Sequence, residues 1–322
     1  MSGAKNIFLA DTHVDTLRRL SEEGDKEFKA FTGKPRRGHV DLARLKKGDV
    51  GLLVMASCTD KERYVNPTVS ALRMIDTAHR LVETYPADLA LITSSAEIRA
   101  ARKARKIAIM LSLENGVALG GCVEALRMFY RLGVRALGLT WNFRNQLADG
   151  VNEAGHSGGL SSFGREVVAA MGELGMIVDV SHLNEKSFWE VIAASQGPII
   201  ASHSNCRAIC DHPRNLTDEQ IRAIADRSGY IGVNFYSRFL KKRGRARLED
   251  VTAHISHIIS VGGIKTPGIG SDYDGIDRPP IGLPDISRHT LVTEAVREGF
   301  SEQRAKKILG ENCLRVIKDV VG

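Results

Sequence analysis

Residues 7–15 read IFLADTHVD, an apolar run that ends in Asp11, His13 and Asp15. In an extended segment alternate side chains share a face, so these three polar groups are expected to point one way from the end of a buried strand. The design recurs along the chain. VGLLVMAS (50–57), IAIMLSLENG (107–116), ALGLTWN (136–142), MIVDVSHL (176–183), PIIASHSN (198–205), YIGVNFY (230–236) and PGIGSDYDG (267–275) complete a series of eight apolar runs, most of them ending in polar clusters. Strands that are apolar on both faces belong to a parallel sheet covered by helices.

Helical signals fill most of the gaps. Ser94 with Glu97 precedes IRAARKARK, and Thr217 with Gln220 precedes IRAIADRSG, where Gly229 is expected to cap the C-terminus. REVVAAMGELG reads as a helix between the fourth and fifth runs, and SEQRAKKILGEN as another capped helix closing the chain. Eight strand–helix units with no Pro-rich or low-complexity linker predict one α/β domain over residues 1–322, a (β/α)8 TIM barrel. An open doubly wound sheet is the rival. The barrel is favoured because His13, Asp15, Glu114, Trp141, Asn142, His182, His203 and Asp272 all follow strand C-terminal ends, which a barrel gathers into one site.

With 43% hydrophobic and 26% charged residues, the composition supports a large core and argues against disorder. The net charge of +7 is spread over KPRR (34–37), RAARKARK (99–106) and KKRGRAR (241–247), far apart and without interleaved aromatics. That pattern excludes a nucleic-acid footprint and suits a solvated surface, with attraction of anionic substrates as a secondary role. No run approaches the roughly 20 apolar residues that span a bilayer, and neither a secretory leader nor a C-terminal lipid-anchor signal is read, so no membrane partner is expected. The five cysteines are odd in number, scattered and free of CxxC pairs. Reduced thiols and a cytoplasmic location follow as expectations.

His13, Asp15, Glu114, His182, His203 and Asp272 together supply three imidazoles and three carboxylates. Each alone has a plainer reading: a capped turn for His-x-Asp, a helix cap for Glu114, a hydrogen-bonded core histidine for His182 or His203, a turn aspartate for Asp272. Their joint placement at strand ends favours metal. Six ligands exceed the need of one catalytic zinc, which keeps three protein ligands and an open position. Two zinc ions sharing a carboxylate would use them all and hold a hydroxide at neutral pH. Competing motifs fail: SDYDGIDRPPIGL has its glycine too early for a calcium loop and Leu283 at the twelfth position, and no Walker A or HExxH sequence occurs.

The blocks DTHVD, LSLENG, VDVSHL, PIIASHSNCRAICDHPRNLTDEQI, GYIGVNFY, HISHIISVGGIKTPGIGSDYDG and ENCLRVI together resemble the membrane (renal) dipeptidase family of zinc peptidases, M19, from about residue 9 to 318. The resemblance implies an amidohydrolase-type barrel with two Zn2+ per chain, other divalent metals being the alternatives. In it His13 and Asp15 hold one ion, Glu114 bridges, and His182 and His203 hold the other. It also implies Asp272 as the catalytic carboxylate and Arg214 as the residue gripping the substrate's C-terminal carboxylate. One departure stands out: where the better-known animal members of the family have a histidine after the fourth strand, this chain has Trp141, which can shape the pocket or donate one hydrogen bond. Asn142, Asn145 and His156 are candidate replacement donors, with Trp141 and Asn142 read as substrate-binding. Asp11 is expected to orient His13 from behind the metal ligands.

The expected activity is hydrolysis of dipeptides with a free C-terminal carboxylate, D-residues at that position included. The alternative is a metal-dependent amidohydrolase acting on N-acyl amino acids or another small carboxylate-bearing amide. Whether the barrel forms a homodimer, as many relatives do, is left open.

Overall fold

The computed structural model describes residues 7–23, 28, 31, 38–59, 65–153, 155 and 158–322. The basic run at 34–37 and His156 lie outside them. Among the described residues nine parallel strands are present: β1 (Leu9–Val14), β2 (Val50–Cys58), β3 (Leu89–Leu91), β4 (Ile107–Glu114), β5 (Val134–Gly138), β6 (Ile177–Asp179), β7 (Ile199–Ala201), β8 (Tyr230–Val233) and β9 (Pro267–Ile269). β1 pairs with β2, β2 with β4, then each strand with the next through β9, which returns to β1. This is a closed eight-stave barrel with helices around it. Its staves are the eight apolar runs of the sequence. The ninth strand, β3, pairs only with the beginning of β4, at Ile107 to Ile109, below the point where β5 takes over that edge at Leu111. Three residues without a polar end gave the sequence reading nothing to detect.

Side chains alternate along the staves as the pleat requires. Thr12, Met110, Ser112, Ile177, Asp179, Ile200 and Ser202 line a cavity of about 20 Å³ inside the barrel. β1 breaks the alternation. Its pairing with β2 shifts register between Asp11 and Val14, and such an irregularity re-aims side chains. Asp11, between the inward-facing Ala10 and Thr12, takes the outer layer, where it meets His289 at the start of the helix His289–Gly299, while beyond the shift His13 and Asp15 reach the mouth of the barrel. The expectation that all three share one face is corrected to two of them.

Helix ends follow local chemistry. Thr217 and Gln220 form the reciprocal capping box read from the sequence. At the other end of that helix Ser228 takes the left-handed conformation at φ +53, and Ser228 N–H and Gly229 N–H donate to the carbonyls of Ala225 and Ile224. The expected cap at Gly229 thus shifts to Ser228 in a Schellman motif. Gly229 is held to glycine by the Ile199 and Ile224 carbonyls, which leave no room for a Cβ. The last helical run differs in a second way. Ser301 makes no side-chain cap bond, and Glu302–Lys306 continues through a wide π turn, Lys307–Glu311, into Asn312–Val321. Gly310 lets that turn press on the Phe8 carbonyl.

The Asn312–Val321 helix closes the N-terminal end of the barrel. Cys313, Val316 and Ile317 pack there with Leu52, Val54, Ala108, Met110, Ile177 and Tyr230, and Asn312 Nδ2 donates to the carbonyls of Ile264 and Pro267. Among the described residues no helix is long and apolar enough to cross a membrane. Because Ile317 is buried at the end remote from the polar cluster, Ile317→Ala is expected to cost about 2–5 kcal/mol of stability while leaving metal content unchanged. Urea denaturation paired with metal analysis checks both halves.

Candidate metal centre

Glu114, the last residue of β4, sits at the middle of the barrel mouth. Its Oε1 lies 2.8 Å from His182 Nε2 and 3.5 Å from His203 Nε2, and its Oε2 lies 3.6 Å from His13 Nε2. The protons on the two distal histidines follow from what holds their other nitrogens. Ser202 Oγ donates to Asp179 Oδ2 at 2.5 Å, so at 2.7 Å it must accept from His203 Nδ1. His182 Nδ1, 2.8 Å from Asn142 Oδ1, donates to that amide oxygen. Both Nε2 atoms therefore present lone pairs, and they face each other at 2.9 Å beside Glu114 Oε1. Three converging lone-pair donors with no proton among them form the ligand set of a divalent cation.

A second group lies beside the first. Ligand atoms of His13, Asp15 and Asp272 fall within 4.8 Å of one another, as do those of Glu114, His182 and His203. His13 Nε2, Asp15 Oδ1 and Glu114 Oε2 are buried without a hydrogen-bond partner, a costly arrangement for polar atoms unless an ion engages them. The residues present thus fit a pair of metal ions. All five expected ligands and Asp272 come together at one mouth, as the strand-end pattern predicts.

Charge confirms how crowded the cluster is. Burial, then Arg214, lowers His182 to about 4, and burial, then His13, holds His203 well below the usual histidine range. For His13, burial acts downward, but the charge of Glu114, with Asp15 and Asp272, overrides it and raises the imidazole to about 10. Burial, with Glu114 adding to it, pushes Asp15 up and takes Asp272 to about 6.

The supports come from several staves. Asp179 accepts from the main-chain N–H of Ser181 and Ser202 as well as from the Ser202 hydroxyl. Asn234 Nδ2 donates to Asp272 Oδ2 at 2.9 Å. Asp11 does not act on the His13 ring: its Oδ1 accepts from the N–H of His13 and Ser271, and its Oδ2 pairs with His289 at 2.8 Å. Asn115, His182 and Asp272 all have positive φ, at +78, +70 and +63, and strain of that kind collects at functional sites at about 1–3 kcal/mol each. Gly275 passes so close to the Asp15 and Asp272 carboxylates that no Cβ would fit.

Sequence reasoning missed Asp179, Ser202, Asn234 and His289 in these roles. VDVSHL and GVNFY offered a signal for Asp179 and Asn234, both polar residues at strand ends. His289, on a helix some 280 positions from its partner, offered none.

Around the cluster, Arg214 is buried, with neutral contacts at 3.4 Å to Ser204 Oγ and 3.3 Å to the His203 carbonyl. Phe239 lies under its guanidinium, and Nε has no partner. Trp141 lies at the rim with its ring centroid 6.1 Å from that of His182. Asn142 spends its side-chain oxygen on His182. Asn145 is a loop organiser, donating to Asn115 Oδ1 and the Leu139 carbonyl and accepting from the N–H of Leu147 and Ala148.

Comparison with known proteins points the same way. The family model described as membrane dipeptidase (peptidase family M19) matches residues 4–321. A solved structure of the dipeptidase AC, a metallopeptidase of family M19, is 28% identical, covers 98% of this chain and 99% of its own, and superposes with a TM-score of 0.92. A metallopeptidase from Rhodobacter sphaeroides, liganded with a phosphinate mimic of the dipeptide L-Ala-D-Ala, is 27% identical with the same coverage and the same TM-score of 0.92. The probable dipeptidase PvdM from Pseudomonas aeruginosa, 23% identical with a TM-score of 0.90 over 99% of this chain and 96% of its own, shares the fold.

Metal ligands must shed protons before they bind, and His13 carries one well above neutral pH. Loading the metal-free protein at pH 7 is therefore expected to release protons, and apparent affinity to rise with pH. Titration calorimetry in buffers of different ionisation enthalpy measures the release. Asn142→Ala is expected to weaken metal binding roughly 10- to 100-fold by freeing His182 to adopt the wrong tautomer. Asn142→Asp, which keeps the acceptor, should not weaken it.

Proposed function

The chain belongs to the membrane dipeptidase family, peptidase family M19, and from that premise we propose that it hydrolyses dipeptides with a free C-terminal carboxylate using two zinc ions. The observation that carries this reading is Arg214. A guanidinium buried beside a metal cluster, with only neutral contacts, is expensive unless an anion joins it. A carboxylate can accept two parallel hydrogen bonds from such a fork, and a dipeptide brings one at a fixed distance from its single peptide bond. Burial lowers Arg214 only to about 10, against the raising effect of Asp272 and Glu114, so it stays charged at neutral pH.

His13 and Asp15 would hold one ion, His182 and His203 the other, with Glu114 between them. When bound, the pair supplies Lewis-acid polarisation of the scissile carbonyl and a water acidic enough to attack at neutral pH. The protein's own residues do the rest. Arg214 fixes the carboxylate end and thereby the register of the peptide bond. Asp272, taken to about 6 by burial and steadied by Asn234, takes a proton from the attacking water and returns it to the departing nitrogen. Trp141 walls the rim and offers one indole N–H, standing where the better-known animal members have a histidine.

D-residues at the C-terminal position are part of the proposal, supported by the L-Ala-D-Ala mimic bound to the Rhodobacter sphaeroides relative. Five unpaired cysteines suit the reducing compartment in which we place the enzyme. A panel of L,L and L,D dipeptides beside N-acyl amino acids, assayed before and after chelation with metal counted per chain, tests the whole reading. Hydrolysis confined to N-acyl amino acids, or full activity with fewer than two metals, would sink the corresponding part.

Asp272→Asn should keep its metals while turnover drops roughly 10²- to 10⁴-fold. Arg214→Ala should lose about 2–5 kcal/mol in kcat/KM and, unlike the wild type, should no longer distinguish a dipeptide from its C-terminal amide. Retained discrimination would place the carboxylate elsewhere.

A further inference from the structure

Cys58, the last residue of β2, is buried at the edge of the metal centre. The ladder between β2 and β4 sets it directly opposite Glu114, and Thr59 N–H donates to the Glu114 carbonyl at 3.1 Å, fixing the pair. Its sulfur and one carboxylate oxygen each from Asp15 and Glu114 lie within 4.8 Å of one another. Those two residues own the buried oxygens Asp15 Oδ1 and Glu114 Oε2 that have no hydrogen-bond partner. A thiol and two carboxylates, each carboxylate owning a buried oxygen without a partner, therefore converge beside the point where Glu114 meets His13.

The other cysteines are placed differently. Cys206 donates to the His254 carbonyl and Cys210 to that of Arg238, while exposed Cys122 meets Glu124. Cys313 packs at the far end of the barrel.

We propose that Cys58 is a further ligand of the metal position formed by His13, Asp15 and Glu114, and that it biases this position toward thiophilic ions. The assignment rests on the two-metal reading above. As the ion enters, the S–H proton leaves to solvent and the sulfur lone pair goes to the metal, the usual fate of a coordinating thiol. A thiolate favours zinc, cadmium or cobalt, whereas a set of carboxylates with one imidazole would admit manganese. A cysteine that only packed would leave this choice untouched.

The test uses the full chain, stripped of metal and saturated with cobalt(II), with metal counted per chain in the same sample. Thiolate coordination gives a sulfur-to-cobalt charge-transfer band in the near ultraviolet. The band is expected in the wild type and absent from Cys58→Ser, whose fold is checked by circular dichroism. Zinc-over-manganese preference in that variant should fall roughly 10-fold or more. A cobalt-saturated wild type without the band overturns the assignment whatever the metal count, and so does a band that survives in Cys58→Ser. Two metals without the band sink the thiol ligand and leave the two-metal reading intact; one metal with the band does the reverse.

Discussion

The chain must bury a carboxylate among three imidazoles, and everything at the barrel mouth follows from keeping that arrangement tolerable. Glu114 stays ionised: burial acts upward, but the charge on His13 overrides it and holds the carboxyl well below the ordinary carboxylate range. His13 brings one positive charge to its Oε2 side, whereas Oε1, beside the unprotonated Nε2 atoms of His182 and His203, has none. The tautomers of His182 and His203 are set so that neither brings a proton to it. Asn142, Ser202 and Asp179 exist in this arrangement to deny that proton, and the lone pairs left over are what a divalent cation needs.

Backbone geometry is bent to the same end. β4 delivers Glu114 from its own last position, whereas beyond β6 and β9 the chain turns at His182 and Asp272 in left-handed conformations. β1 uses a register shift instead. Each device costs stability locally, and the close-packed cores between barrel and helices and at the opposite end of the barrel offset it. Chemistry and cohesion are thus separated along the barrel axis, with polar residues and strain above and close-packed side chains below.

How much of this could be read beforehand depended on whether a residue's role was local. The eight staves were legible because each is an apolar run, and the gathering of His13, Asp15, Glu114, His182, His203 and Asp272 at one mouth because polar residues end those runs. β3 was invisible because its only partner is the start of β4. The common face of Asp11, His13 and Asp15 failed because strand alternation assumes an unbroken ladder, and the irregularity in β1 depends on what β2 does beside it. Asp11 was recognised as a supporting residue, but its partner His289 comes from a helix near the other end of the sequence. Long-range pairing of that kind leaves no trace in spacing or periodicity.

The raised affinity of His13, Asp15 and Asp272 for protons bears on how the protein matures. Protons can stand in for cations while the barrel closes, so the mutual repulsion of the carboxylates need not block folding in the absence of metal. The cluster then meets an incoming cation as a finished cavity, and the cation displaces the protons that stood in for it.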